Sequence, residues 1–232
     1  MQSIKLGLIG IGLSILGVVG AYYTFENINP AQALEQNRVT QALESYLSQH
    51  QAPNAFAEAR EQIQSDPASP SFGSPTARVT LIQFFDYRCP YCKRMARGID
   101  SLMSEDADLR VVFKEFPILA PDSVDSAKAA LAAHRQAKYL PFHRLLMAHN
   151  GAFTMEAIDE MAKEAELDLD QLHKDMEDPA ILQQLRDNHR LAQRLKIEGT
   201  PAFILGDKLI PGAVPIEELR EAIRQFSLQG GG

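Results

Sequence analysis

Two scarcities bound this 232-residue chain before any motif is read. It has only two cysteines, three positions apart, so no disulfide framework can be built from it. It also lacks an excess of positive charge: 23 Lys and Arg face 30 Asp and Glu, for a formal net charge of −7. Nucleic-acid and anionic-membrane partners need basic stripes, and nothing here indicates one. There is no internal repeat and no long low-complexity run. What remains is ordinary. Hydrophobic residues at 45% fill a core, and charged residues at 23% make a soluble surface. The length suits one domain plus an appendage.

Residues 6–23 are apolar apart from Ser14, with Lys5 on the short flank before them. Such a run is near the minimum for a membrane-spanning helix, and it also reads as a long signal-peptide core. Lys5 favours that end staying in the cytoplasm. Ala33 lies far from the apolar core and Ala21 inside it, which favours an anchor over a cleaved leader. The expectation for residues 1–24 is a signal peptide or signal anchor, with everything from Glu26 onward exported to the periplasm or cell envelope. Residues 25–66 then form a helical stalk. Leu34, Val39, Leu43, Tyr46 and Leu47 recur mostly at helical spacing, and Asn54 can cap a second short helix that buries Phe56, Ala59 and Ile63. Two short amphipathic helices cannot form a core alone. They dock on the main domain or pair with another copy, and a homo-oligomer through residues 31–65 is the favoured expectation. Residues 65–77, with Pro67, Pro70, Gly73 and Pro75, read as a linker or domain-entry loop.

Residues 67–228 carry the main domain, of α/β class. Residues 78–85 are β-branched and aromatic, as a buried central strand requires. A helix is expected over 91–104 and a second strand over 109–116. About 120–197 shows no strand pattern and reads as a helical insertion. One of its helices follows Pro141 and another is capped by Thr154. Residues 202–205 form a short strand, Gly206-Asp207 a two-residue turn, 208–210 the return strand, and 216–228 a closing helix. Residues 229–232 are expected to be a disordered tail.

Cys89-Pro90-Tyr91-Cys92 sits where strand gives way to helix. The pair is a redox couple, half of a metal site, or a coincidence. The helix start favours the first reading. Free N–H groups and a partial positive charge there stabilise a thiolate, the reactive form of cysteine. Pro90 suits the first turn because its missing N–H costs nothing there. Arg88, Lys93, Arg94 and Arg97 add positive charge nearby, or are simple surface charges. Cys89, at the exposed edge, would exchange with substrate, and Cys92, one turn in, would resolve the mixed disulfide. A structural zinc wants four protein ligands, and no histidine lies near the pair in sequence. No metal site and no cofactor are assigned, although two thiolates suit copper(I). The second signal is Gly199-Thr200-Pro201. A Pro just before a short buried strand is unusual; a cis peptide would explain it and would leave the Thr200 backbone free to pair with an extended substrate. Taken alone, this element favours an ordinary trans Pro at a strand start.

Together these stretches resemble the DsbA family of thioredoxin-fold proteins. The matching residues are Phe84-Phe85-Asp86-Tyr87-Arg88-Cys89-Pro90-Tyr91-Cys92-Lys93, Phe113-Lys114-Glu115-Phe116-Pro117, Gln136-Ala137-Lys138-Tyr139 with Phe142-His143, Gly199-Thr200-Pro201-Ala202-Phe203, and the 206–212 turn. The resemblance implies a thioredoxin fold with a helical insertion, a cis-Pro201 beside Cys89, and a shallow apolar groove for unfolded or misfolded cysteine-containing exported proteins. It also implies a membrane redox partner. The helical segment before the domain is similar in layout to ScsC-type members. The implied activity is disulfide formation or isomerisation. Pro90, Tyr91, Lys93 and Gln83 would tune the couple, and Thr200 and Pro201 would bind substrate. One position departs from the family. An acidic residue is often found where this chain has Gln83, which cannot titrate, so proton transfer at Cys92 would fall to water, Lys114 or Glu115. The rival readings are an envelope protein that binds copper(I) or unfolded chains without turnover, and a membrane-tethered adaptor.

Overall fold

A computed structural model describes Ala59, Ile63, Gln64 and residues 66–230. The expected signal or anchor segment, most of the stalk with its oligomerising role, and the last two glycines lie outside the described residues. Among the described residues no helix is long and apolar enough to cross a membrane.

Strand β2 (Val79–Phe85) is buried on both faces, which is why its sequence is an almost unbroken apolar run. It pairs in parallel with β3 (Leu109–Glu115) and antiparallel with β4 (Ala202–Leu205). The short β1 (Ser71–Phe72) and β5 (Lys208–Pro211) close the two edges, giving the order β1-β3-β2-β4-β5. Parallel β2 and β3 need a crossover, and α1 (Pro90–Glu105) supplies it. Five helices lie between β3 and β4: α2 (Pro121–Arg135), α3 (Tyr139–Ala148), α4 (Met155–Glu164), α5 (Leu169–Met176) and α6 (Pro179–Arg194). Helix α7 (Ile216–Leu228) ends the domain. This is the thioredoxin-like α/β architecture with a helical insertion.

Side chains alternate across a strand, so the sheet sorts its residues into two cores. Leu81, Phe85, Val111 and Phe113 meet α1, α7 and the helical insertion on one face. Ile82, Phe84 and Val112 meet the end of α6 on the other, and Ala59 and Ile63 are buried there too. Ala59 and Ile63 therefore pack within this core rather than standing clear of it.

Two local readings are corrected. The 65–77 stretch is not all linker, because Ser71 and Phe72 pair with Val112 and Val111. Gly73 follows at φ +106, where an added Cβ would strike the Leu109 carbonyl. Pro141 does not precede its helix but lies in the first turn of α3, where its missing N–H would have had no helical partner. The turn at Gly206-Asp207 joins Leu205 to Lys208 as expected, with positive φ at Gly206. Thr154 caps α4 by accepting from the Ala157 N–H.

Candidate active site

The loop from β2 into α1 is set by Asp86, whose carboxylate is buried and gathers four donors. Oδ1 accepts from the Arg88 N–H at 2.7 Å and the Ser123 hydroxyl at 2.8 Å, and Oδ2 from the N–H groups of Ile118 and Leu119 at 2.8 and 2.9 Å. One side chain thus ties the cysteine loop to the end of β3 and the start of α2. The Asp86 carbonyl also accepts from the Cys89 N–H at 3.0 Å.

Cys89 is the N-cap of α1. Its sulfur accepts from the Cys92 N–H at 3.3 Å. Both cysteines are free thiols. The helix start lowers the Cys89 thiol to about 6. The largest cause is the hydrogen bond from the Cys92 thiol; burial opposes it, and the Thr200 side chain and the N–H groups of Cys92 and Tyr91 add to it. The Thr200 hydroxyl is buried and has no well-aligned partner, so its part is the weaker pull of a nearby dipole. Cys92 moves the other way. Burial drives its thiol far above the ordinary range, and the neighbouring Cys89 sulfur adds to the rise. One contact opposes ionisation of Cys89: its thiol donates to the Thr200 carbonyl at 3.3 Å, an acceptor that a thiolate cannot use.

Thr200 and Pro201 are joined by a cis peptide bond and sit directly against Cys89. The Pro201 carbonyl is held by the Gly212 N–H at 2.8 Å. A small pocket of about 210 Å³ lies beside Thr200, with Ile197, Ala202, Leu209 and Pro211 as its apolar lining.

Three expectations for the site change. Cys89 is not at an exposed edge; it is only 2% accessible, hardly more than Cys92 at 0%. The influences that lower its thiol are hydrogen bonds, and no side-chain cation is among them. Lys93 instead donates to the His149 carbonyl, and Arg88 donates to the Gly151 carbonyl and lies 3.5 Å from Asp122. The two candidate proton carriers also separate by face. Lys114 lies on the face away from α1 and is bound by Asp66 and Ser69.

Glu115 lies on the cysteine face, where Tyr87 and Tyr139 donate to its Oε1 at 3.0 and 2.8 Å. Burial raises it well above the usual carboxylate range, and the two tyrosines only partly offset that. The Tyr87 oxygen also meets His143 Nδ1 at 2.9 Å, and burial holds that ring neutral, down to about 3. Gln83 Oε1 and Glu115 Oε2 are buried with no hydrogen-bond partner among the described residues. The Glu115, Tyr87, Tyr139 and His143 cluster was not legible as a unit, since β3, the β2–α1 loop and α3 each supply part of it. Among the described residues no group of three or more His, Cys, Asp or Glu is placed to hold a metal ion.

Comparison with known proteins agrees with this geometry. The family model of the DSBA-like thioredoxin domain matches residues 80–224, more than half of the chain. A thioredoxin-like oxidoreductase from Silicibacter pomeroyi DSS-3 is 39% identical, with a TM-score of 0.69 over 72% of this chain and 97% of that one. A periplasmic thioredoxin-like protein from Salmonella enterica serovar Typhimurium is 31% identical, with a TM-score of 0.66 over 72% and 94%. The catalytic domain of Proteus mirabilis ScsC is 28% identical, with a TM-score of 0.68 over 74% and 96%. Among curated relatives, a Na(+)/H(+) antiporter NhaA 1 of Salinispora arenicola is 28% identical over 65% of this chain. The chain spans about a quarter of the length of the curated relatives it matches (24% for that antiporter), so the likeness is confined to one segment of them. With the sheet order, the helical insertion and the cysteine-bearing helix start already established, the match places this chain in the family of DSBA-like thioredoxin-domain proteins.

Proposed function

We propose that this chain forms or isomerises disulfides in exported, cysteine-containing polypeptides, with Cys89 exchanging and Cys92 resolving. In the oxidising direction a client thiolate attacks Cys89 Sγ of the disulfide, forming a mixed disulfide and releasing Cys92 as a thiolate that takes up a proton. A second client thiolate then attacks the client sulfur, forming the client disulfide and releasing Cys89 as a thiolate. The observation that carries this reading is the placement of the pair: Cys89 caps α1 with its sulfur accepting from the Cys92 N–H at 3.3 Å and lies against Thr200 of the cis peptide, while Cys92 is fully buried, an arrangement that lowers the Cys89 thiol and raises that of Cys92. Cys89 is the better leaving group, and Cys92 strongly favours its protonated form.

Pro90 and Tyr91 tune the couple through the helix start they build, and Gln83 by keeping the centre of β2 uncharged. The part first assigned to Lys93 is weakened by its bond to His149. Thr200 and Pro201 are the substrate contacts. When Cys89 ionises, the Thr200 carbonyl is released to accept from a client N–H. At neutral pH a thiol at about 6 favours the reduced couple by only about 1.4 kcal/mol over an unperturbed one, roughly 30 mV. That is too little to fix the direction, which then falls to the membrane redox partner that resets the couple. An envelope location fits these clients, and the periplasmic Salmonella relative supports it.

The test is oxidation of reduced ribonuclease beside repair of scrambled ribonuclease, on the full chain and on a chain starting at Ala52. Loss of repair alone on truncation would support assembly through the part of the 31–65 segment that precedes Ala52. Cys92→Ser should trap clients as mixed disulfides at Cys89. A chain that only holds copper(I) or unfolded polypeptide would trap none and would fail both assays.

A further inference from the structure

Beside the redox motif, between α1 and α3, lies an open cleft of about 730 Å³. It begins at Pro90, and four cations line it, Lys93, Arg94, Arg97 and Arg144, against one carboxylate, Asp100. In a chain of net charge −7 this is a local reversal of sign. Arg144 is neutralised by Asp100 at 2.9 Å, and Lys93 is drawn to the His149 carbonyl. Arg94 and Arg97 remain. Both are exposed. The Arg94 guanidinium rests 4.4 Å from the centre of the half-exposed Tyr91 ring, and Arg97 has no ion pair among the described residues. Neither arginine is needed to hold the Cys89 thiol down, since hydrogen bonds do that.

We propose that this cleft docks an acidic stretch of the same polypeptide whose cysteine is engaged at Cys89, with Arg94 and Arg97 setting the specificity. The inference rests on the exchange reading above and names the clients it favours. Charge complementarity selects an anionic occupant, and continuity with Pro90 makes that occupant the client chain itself. The spacing is fixed by geometry. Arg94 and Arg97 lie about 7.5 and 12 Å beyond Cys89 along the helix axis, at 1.5 Å per residue. An extended chain covers about 3.3 Å per residue. Acidic side chains about two to four positions from the client cysteine therefore meet the two arginines.

The test uses the oxidised full-length protein and single-cysteine peptides that differ only at those positions, carrying Glu, Gln or Lys. Each is run at low and high salt. The readout is the rate of mixed-disulfide formation, compared between the wild type and the Arg94→Glu/Arg97→Glu variant. The intrinsic reactivity of each peptide thiol cancels in that ratio. The expected result is a Glu-over-Lys preference larger in the wild type than in the variant by about tenfold or more at low salt, shrinking as salt screens the charges. Arg94→Gln/Arg97→Gln should fall between the two, which guards against a misfolded variant. A Glu-over-Lys ratio that is the same in all three proteins overturns the inference while the exchange reading stands. No exchange with any peptide overturns both. Binding to phosphatidylglycerol vesicles that the charge reversal abolishes, without any peptide preference, assigns the cleft to lipid and overturns it as well.

Discussion

Adjacent residues of β3 send opposite charges to opposite faces of the sheet, and the two are treated differently. Lys114 is 1% exposed on the face away from α1, and its ammonium meets Asp66 at 3.0 Å and Ser69 at 2.8 Å. Burial pulls the lysine down and works against Asp66, but the Lys114 charge and the Ser69 hydroxyl hold that carboxyl below its ordinary range. Glu115, equally buried on the cysteine face, has two tyrosine hydroxyls and, among the described residues, no cation in contact. Burial raises it well above the usual carboxylate range because ionisation without a cation is costly there. One face uses its charge to fasten the 66–69 turn to the sheet. The other keeps a titratable group with no ion pair among the described residues on the face that carries the cysteine helix, an arrangement that stability alone does not favour.

The largest effect expected from breaking this contrast is a pH dependence. The unfolded chain releases the Glu115 proton near 4.5, whereas the folded chain holds it to higher pH. Stability therefore falls as pH rises above 4.5, by about 1.4 kcal/mol per unit while the pH stays below the folded value. Glu115→Gln removes that loss. Urea unfolding should find the variant level with wild type near pH 4.5 and increasingly the more stable towards neutrality. His143 acts with the opposite sign. Its folded value is about 3 against 6.5 unfolded, so its contribution is complete above 6.5 and is lost as pH falls towards 3. In Glu115→Gln that acid-side loss should stand alone. If wild type and variant keep a constant difference from pH 4.5 to neutrality, Glu115 is ionised in the fold and the contrast fails.

The fastened face gives the next two effects. Ile63 is 2% exposed against Ile82, Phe84 and the end of α6. Ile63→Ala should cost about 3 kcal/mol, seen as a lower urea midpoint at unchanged slope. The Gln64 carbonyl also holds Arg110 at 3.0 Å. A chain begun at Ser65 loses both contacts, whereas one begun at Ala52 keeps them. Asp66→Ala should cost somewhat less, about 2 kcal/mol, because that carboxylate is partly open to solvent. Adding Lys114→Met should restore most of it. A double variant no more stable than the single one would mean that the pair is not what fastens the turn.

How much of this the chain disclosed depended on how local the cause was. β2 was legible because burial on both faces leaves an apolar run, and α1 because Cys89 caps it and Pro90 opens it. Thr200-Pro201 was legible only through the family resemblance, since a proline before a short strand by itself favours an ordinary trans bond. β1 was hidden, since two residues among prolines and a glycine carry no period. The sides taken by Lys114 and Glu115 follow from alternation along β3, but only the pairing of Phe85 with Glu115 shows which side faces the cysteines. Asp86 entered the sequence reading only as part of the matching stretch 84–93. Its four donors come from residues up to 37 positions away, and no local pattern encodes that.

The smallest expected effect concerns the cations. Four basic residues around the motif suggested a charge-stabilised thiolate. In the fold, Arg88 and Lys93 are turned to carbonyls, and the strongest support for the Cys89 anion is the Cys92 thiol. The pH profile of Cys89 alkylation separates the two accounts. Its midpoint should lie at about 6 in the reduced wild type. Cys92→Ala removes the main donor and should move the midpoint clearly upward. Lys93→Met removes a charge already held elsewhere, partly screened by water, and should move it by less than about 0.3 of a pH unit. A larger rise in Lys93→Met than in Cys92→Ala would return the thiolate to the cations and make the helix-start hydrogen bonds secondary.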